Sequence, residues 1–366
     1  MSGRPLRLLL SGYYGFGNFG DEAILRVFIE QWRRRRPHDR LTVLSADPAQ
    51  TRQRHAVEVV PRSAWGAVRR AIADADVVVS GGGGLLQDAT SLRSLAYYAG
   101  ILREAVRVGR VATIFAQGIG PLSFVGRAIV RRACAGVRVA SVRDEESART
   151  LHSLLPAGTV HLGADPVFLC STNQAADAPA PLDRESLNNL NGPLVAVVVR
   201  QAPVLAKLAR KLAAGIDYLT REYGAQVIFV PFQRPHDVQA AIEVIRLCRS
   251  APVLLGGDYD LPAMASLFSR CSAVVGMRLH ALIVATRLAV PFLPISYDPK
   301  IEALTRRLRY PVCDLGHESD GVILVDGLWR QRPALRALLQ SASNELERAA
   351  ASAFDLLQQL AEGTAA

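Results

Sequence analysis

"LRLLLSGYYGFGNFGDEAILRVFIEQWRRRR", residues 6–36, holds a complete strand-turn-helix unit. The apolar run Leu6 to Ser11 reads as a buried parallel strand. Glu22 to Arg36 reads as an amphipathic helix, and its closing arginines suit the negative end of the helix dipole. Between them stands GYYGFGNFGDE, a turn with four glycines and an acid at its exit. Glycine lets the backbone approach a ligand closely. A Walker-type phosphate loop would place Lys and then Ser or Thr at the helix start, where this chain has Gly20, Asp21 and Glu22. A dinucleotide fingerprint fits loosely through Gly12, Gly15 and Gly17. The second strand, however, ends in LTVLSADP, with Asp47 only beyond it, so no acid stands where a ribose needs one. Asp21 then serves either as a helix cap or as a base facing a hydroxyl.

The same rhythm continues along the chain. Strands are expected at Leu41 to Ser45, Asp76 to Ser80, Val111 to Phe115 and Val137 to Val142, with a helix at Leu92 to Val108. Residues 171–192, rich in Pro, Asn and Ala, read as a linker. Strands resume at Leu194 to Val199, Gln226 to Val230, Pro252 to Leu255, Ser272 to Gly276 and Val290 to Ile295, with helices from Pro203, Pro235 and Leu261. The expectation is an α/β protein of two Rossmann-like domains facing a cleft, residues 1–172 and 193–366, joined by a linker at 173–192. A last helix, Ala334 to Leu360, could pack across both. A chain of 366 residues, half of them hydrophobic, is long enough for two cores.

No apolar run reaches the roughly 18 residues of a membrane span, and no signal peptide opens the chain, so a cytoplasmic enzyme is expected. Five scattered cysteines without CxxC spacing argue against a disulfide framework or a metal site, and read as buried small residues. The net charge of +10 comes from arginines spread along the chain, without a nucleic-acid motif. It suits anionic substrates or an anionic membrane surface.

In paired sheets of this kind, ligands lie beyond the carboxyl ends of the strands. The loops there are rich in polar groups. SGGGGLLQD offers Gly82 and Gly83 for backbone contact, and Asp88; SVRDEES offers Arg143, just before Asp144 as a helix cap. VVGMRLHA runs from strand into helix, placing Arg278 and His280 where free amides and the dipole attract anions. SYDPK adds Asp298 and Lys300, the latter one of only three lysines. Asn18, before the acidic pair, completes the binding set with Gly82, Gly83 and Asp88.

These motifs, in this order and at these separations from about residue 7 to about 315, resemble the CsaB-type polysaccharide pyruvyltransferase family. The resemblance implies a glycosyltransferase-B-like fold. It further implies transfer of pyruvate from phosphoenolpyruvate, as co-substrate and without another cofactor, onto two hydroxyls of a sugar as a cyclic ketal. The implied acceptor is an N-acetylmannosamine of a lipid-linked cell-wall glycan precursor, met at the inner face of the membrane. By motif match the family's acid falls on Asp21, its arginines on Arg143 and Arg278, its histidine on His280 and its lysine on Lys300. Asp21 is then expected as base, His280 as acid or phosphate partner, and the three cations as an anion clamp. Two other readings share the layout: a nucleotide-sugar glycosyltransferase, in which Glu302 would hold a ribose, and a non-catalytic receptor for an anionic glycan or metabolite.

Overall fold

The computed structural model describes residues 4–155, 159–172, 181–187, 190–311 and 320–365. Cys313 and much of the expected linker, residues 173–180 and 188–189, lie outside them. The chain divides into two compact units, one of residues 1–169 with 346–366 and one of residues 170–345.

The first unit is a seven-stranded parallel sheet. In chain order its strands are β1 (Arg7–Ser11), β2 (Arg40–Ser45), β3 (Glu58–Pro61), β4 (Val77–Gly81), β5 (Val111–Gln117), β6 (Val139–Val142) and β7 (Thr159–Leu162). Their order across the sheet is β3-β2-β1-β4-β5-β6-β7. The central strand β4, VVVSG, is buried along its whole length, as expected of a strand covered on both faces. Its register against β1 sets Leu8 opposite Val77 and Leu10 opposite Val79. One apolar layer packs α3 (Trp65–Asp74), α4 (Leu92–Arg107), α5 (Phe124–Ala133) and α6 (Glu145–His152) against the sheet. The other packs α1 (Phe19–Arg35) with the end of the last helix. The short helix α2 (Pro48–His55) links β2 to β3.

Two expectations are corrected here. The last helix runs Gly321–Ala365, and its final part belongs to the first unit rather than the second. Phe354, fully buried, explains this by packing its ring against Phe28 and Phe115. The described part of the expected linker is also built into structure. α7 (Pro181–Arg184) buries Leu182, and Glu185 accepts hydrogen bonds from the amides of Gly256 and Gly257, both within the second unit.

The second unit is a five-stranded parallel sheet of β8 (Leu194–Val198), β9 (Gln226–Phe229), β10 (Val253–Leu254), β11 (Cys271–Gly276) and β12 (Phe292–Pro294), in the order β10-β9-β8-β11-β12. Between its strands run α8 (Pro203–Tyr223), α9 (His236–Ile245), α10 (Leu261–Ser269) and α11 (Leu279–Arg287), with α12 (Pro299–Arg307) after β12 and α13 (Gly321–Ala365) last. Both sheets reverse their winding direction once, between β1 and β4 and between β8 and β11. At such a switch point the two following loops part and leave a crevice beyond the strand ends. The glycine turn and the four-glycine loop flank the first crevice; VVVRQAP and VVGMRLHA flank the second.

Candidate functional site

In the first unit the opening turn is held by side chains around it. Gly15 and Gly17 both take positive φ, and a Cβ on Gly15 would meet Ser45 and the backbone of Asp47. Glu22 accepts a 2.7 Å hydrogen bond from the Gly15 amide, and the buried Tyr14 hydroxyl donates to the Gly81 carbonyl at 2.9 Å. The turn is thereby tied to the four-glycine loop across the switch point.

Asn18, not Asp21, caps α1. Its Oδ1 accepts from the amides of Gly20 and Asp21 at 2.9 and 3.5 Å. The capping role weighed for Asp21 is therefore already filled. Asp21 is half-buried, with its carboxylate against the α-carbon of Gly83: a Cβ there would lie 2.5 Å from Oδ1. Gly83 has a φ of +63°, a conformation that side chains other than glycine's resist. The bare loop thus makes room for a carboxylate. Burial pushes the Tyr14 phenol well above its usual value, and the negative charge of Asp21 beside it adds to the shift.

Asp88 is spent on the junction between the loop and α5. It accepts from the Ser123 amide at 2.9 and 3.1 Å and from the Ser123 hydroxyl, and these bonds draw its carboxyl below the usual range. Arg143 is buried rather than solvated as a lone arginine would be, and its guanidinium pairs with the buried Asp165 at 2.9 Å. It lies over Gly118, where a Cβ would come within 3.0 Å of Nη2. Asp144 caps α6 as expected.

In the second unit Arg278 is the N-cap residue of α11, and His280 stands half-buried in its first turn. The guanidinium, however, is engaged with Asp237, which is fully buried. Nε lies 3.1 Å and Nη2 2.5 Å from its two oxygens, and Gln233 accepts from Nη2 at 3.3 Å. Asp237 also accepts the amides of Phe232 and Gln233. Lys300 occupies the first turn of α12, where Asp298 caps its backbone amide. Glu302 accepts from the Ser296 hydroxyl.

Arg200, just after β8, escaped the sequence reading as a candidate. Its Nη1 donates to the Tyr297 hydroxyl at 2.8 Å, its guanidinium lies 5.3 Å from that ring's centroid, and its Nε is buried without a hydrogen-bond partner. Burial raises the Tyr297 phenol, and the charges of Arg200 and Arg278 oppose that rise. Arg200 thus contacts the Tyr297 ring directly at the switch point of the second sheet, and Arg278 acts on it only through its charge. The sequence signal was the position of Arg200 at a strand end. Among the described residues, no group of His, Cys, Asp and Glu is placed to hold a metal ion.

The sequence pattern of the polysaccharide pyruvyl transferase family matches residues 18–299. The chain belongs to that family. It is therefore a transferase enzyme, of the kind that pyruvylates polysaccharides. No curated protein sequence matches the chain.

Solved structures similar to this transferase agree on the fold. The UDP-GlcNAc 2-epimerase of Neisseria meningitidis bound to UDP-GlcNAc superposes with a TM-score of 0.67 at 12% identity, over 97% of this chain and 100% of its own. A glycosyltransferase from Rickettsia africae gives 0.64 at 8% identity, over 97% and 98%. Anabaena HepE in complex with UDP-glucose gives 0.63 at 13%, over 98% and 99%. The pyruvyl transferase thus has the glycosyltransferase-B-like architecture of two parallel α/β units. No helix among its described residues is long and apolar enough to cross a membrane.

Proposed function

We propose that the enzyme transfers pyruvate from phosphoenolpyruvate to a sugar of a lipid-linked glycan precursor, an N-acetylmannosamine by the motif resemblance, as a cyclic ketal. The observation that carries the reading is the carboxylate of Asp21 set against Gly83 at the first switch point, where a phosphate loop would need a cation. A hydroxyl-bearing acceptor suits that place. The donor carries a carboxylate and a phosphate, and suits Arg200, Arg278 and Lys300 around helix starts in the second unit.

In the reaction the methylene carbon of phosphoenolpyruvate gains a proton and one sugar oxygen bonds to the neighbouring carbon. The bond from that carbon to the phosphate oxygen breaks, and a second sugar hydroxyl closes the ketal, leaving inorganic phosphate. Asp21 takes the hydroxyl proton; His280 supplies a proton or holds the departing phosphate. Arg143, held on Asp165 over Gly118, keeps its place in the anion clamp as a guanidinium fixed in direction.

The test is to mix the protein with phosphoenolpyruvate and a panel of lipid-linked N-acetylhexosamine disaccharides, following phosphate release and the mass of the glycan. Phosphate should appear only with both substrates, together with a pyruvyl gain on the glycan. Release with water alone at the same rate, or no gain with any acceptor, would overturn the reading.

A further inference from the structure

The first unit gathers its exposed apolar side chains at one end. Trp65 (44% exposed), Leu92 (45%) and Phe124 (89%) open α3, α4 and α5, and Val125 (52%) follows Phe124. α3 packs on α4 and α4 on α5, so these openings are neighbours. A side chain as large as Phe124 left almost wholly in water forgoes the gain that burial would bring.

On α5 the exposed positions Phe124, Val125, Ala128, Arg131 and Arg132 recur at helical spacing and form one side of the helix. That side begins apolar and ends cationic. The three helices together carry eight arginines against Asp74 and Glu104, and Glu104 is already bound by Arg69 and Arg107.

From this juxtaposition we infer that the exposed side of α5, with Trp65 and Leu92 beside it, docks on an anionic lipid bilayer. Phe124 and Val125 enter the boundary between headgroups and acyl chains, and Arg131 and Arg132 meet lipid phosphates. Trp65 sits where an indole prefers the interface. A nucleic-acid backbone would use the arginines but leave the aromatic and aliphatic groups idle. A second copy related by a two-fold axis would set one arginine-rich side against another. The inference fits the lipid-linked acceptor proposed above but does not rest on it, because the lipid surface alone is the ligand.

The test is sedimentation of the full chain with phosphatidylcholine vesicles, with and without phosphatidylglycerol, read together with tryptophan fluorescence. Trp32 and Trp329 are buried, so a blue shift reports on Trp65, the third of three tryptophans. Binding should require phosphatidylglycerol and weaken steeply with salt. Phe124→Ser should lower it about 10-fold. Arg131→Glu with Arg132→Glu should lower it at least about 30-fold. Trp65→Phe should keep binding and lose the shift. Phosphate release with a water-soluble acceptor should stay unchanged in all three variants, so a failure of vesicle binding is separable from a failure of the proposed reaction. If the charge-reversed variant does not fold, Phe124→Ser carries the test. Equal binding to neutral vesicles, no binding to either kind, unaltered binding by the Phe124 and arginine variants, or a dimer that Phe124→Ser dissolves would each overturn the inference.

Discussion

On the proposed reading Arg278 has two duties in the second unit, holding Asp237 and meeting an anionic donor, and a pair of variants separates them. Its guanidinium gives two charge-assisted hydrogen bonds to Asp237, whose side chain is 0% exposed against 11% for that of Arg278. Arg278→Ala leaves a buried carboxylate with only the amides of Phe232 and Gln233. Breaking one side of such a pair costs about 3–5 kcal/mol, a large part of the roughly 5–15 kcal/mol that holds a domain. The same change removes one donor to an anionic ligand, worth about 1.5–3 kcal/mol, or about 10- to 150-fold in affinity. Adding Asp237→Asn removes the stranded charge while keeping an oxygen for the two amides. The double variant should regain about 2 kcal/mol of the lost stability and none of the lost affinity. Urea unfolding gives the first quantity and titration calorimetry with phosphoenolpyruvate the second. Affinity returning along with stability would mean that Arg278 only holds the loop in shape. An Arg278→Ala protein as stable as wild type would mean that the pair does not anchor it.

Asp21→Asn should lower turnover about 10²- to 10⁴-fold by phosphate release, yet leave the melting temperature nearly unchanged, because Asn18 supplies the cap; near-normal turnover would remove Asp21 as base. Asn18→Ala is the converse control and should cost about 1 kcal/mol of stability in thermal unfolding. Gly83→Ala would force a Cβ to within 2.5 Å of the Asp21 carboxylate at a φ of +63°. It should therefore cut turnover sharply in the same phosphate assay while phosphoenolpyruvate affinity holds; unaffected turnover would show that the carboxylate can move freely. At Glu185, burial would raise the carboxyl, but the Gly256 and Gly257 amides, the Tyr259 hydroxyl and the charge of Arg234 outweigh it and hold the group low. A carboxyl held below its unfolded value stabilises the fold above that value, about 4.3, and loses this as pH falls through the folded one. The melting-temperature gap between wild type and Glu185→Gln should be full at neutral pH and close below about pH 4; a gap widening in acid would refute the assignment.

The strands legible in the sequence are those covered on both faces, such as Val77 to Val79, all wholly buried, because burial on both sides leaves a continuous apolar run. β3 and β7 were not legible. Each has four residues, half-buried at best, at an edge of its sheet, so neither a run nor an alternation marks it. The unit to which the end of the last helix belongs was not legible for another reason. Phe354 reaches Phe28 across most of the chain, and no local pattern records such a contact. At the candidate site the residue types at strand ends were legible, while their counter-ions were not. Asp165 lies 22 positions from Arg143 and Asp237 lies 41 from Arg278, and in sequence each looks like an ordinary turn or helix acid.

Those hidden acids change how charge must be counted. Read as bare cations, Arg143 and Arg278 would supply two positive charges for a donor that carries both a carboxylate and a phosphate. Each is instead matched by a buried carboxylate, which fixes the guanidinium plane but cancels its long-range attraction. An arginine held in this way contributes direction: donors preorganised to meet an oxygen without rearrangement at the moment of reaction. Net attraction on the proposed reading then has to come from elsewhere. Arg200 bonds to a hydroxyl instead of an acid and keeps a buried Nε without a partner. Together with the positive dipole ends of α11 and α12, it is the group whose charge an anion would feel. Loss of Arg200 should therefore weaken phosphoenolpyruvate capture most at low salt, whereas loss of the neutral pair, Arg278→Ala with Asp237→Asn, should weaken it nearly equally at all salt concentrations, because screening acts on uncompensated charge.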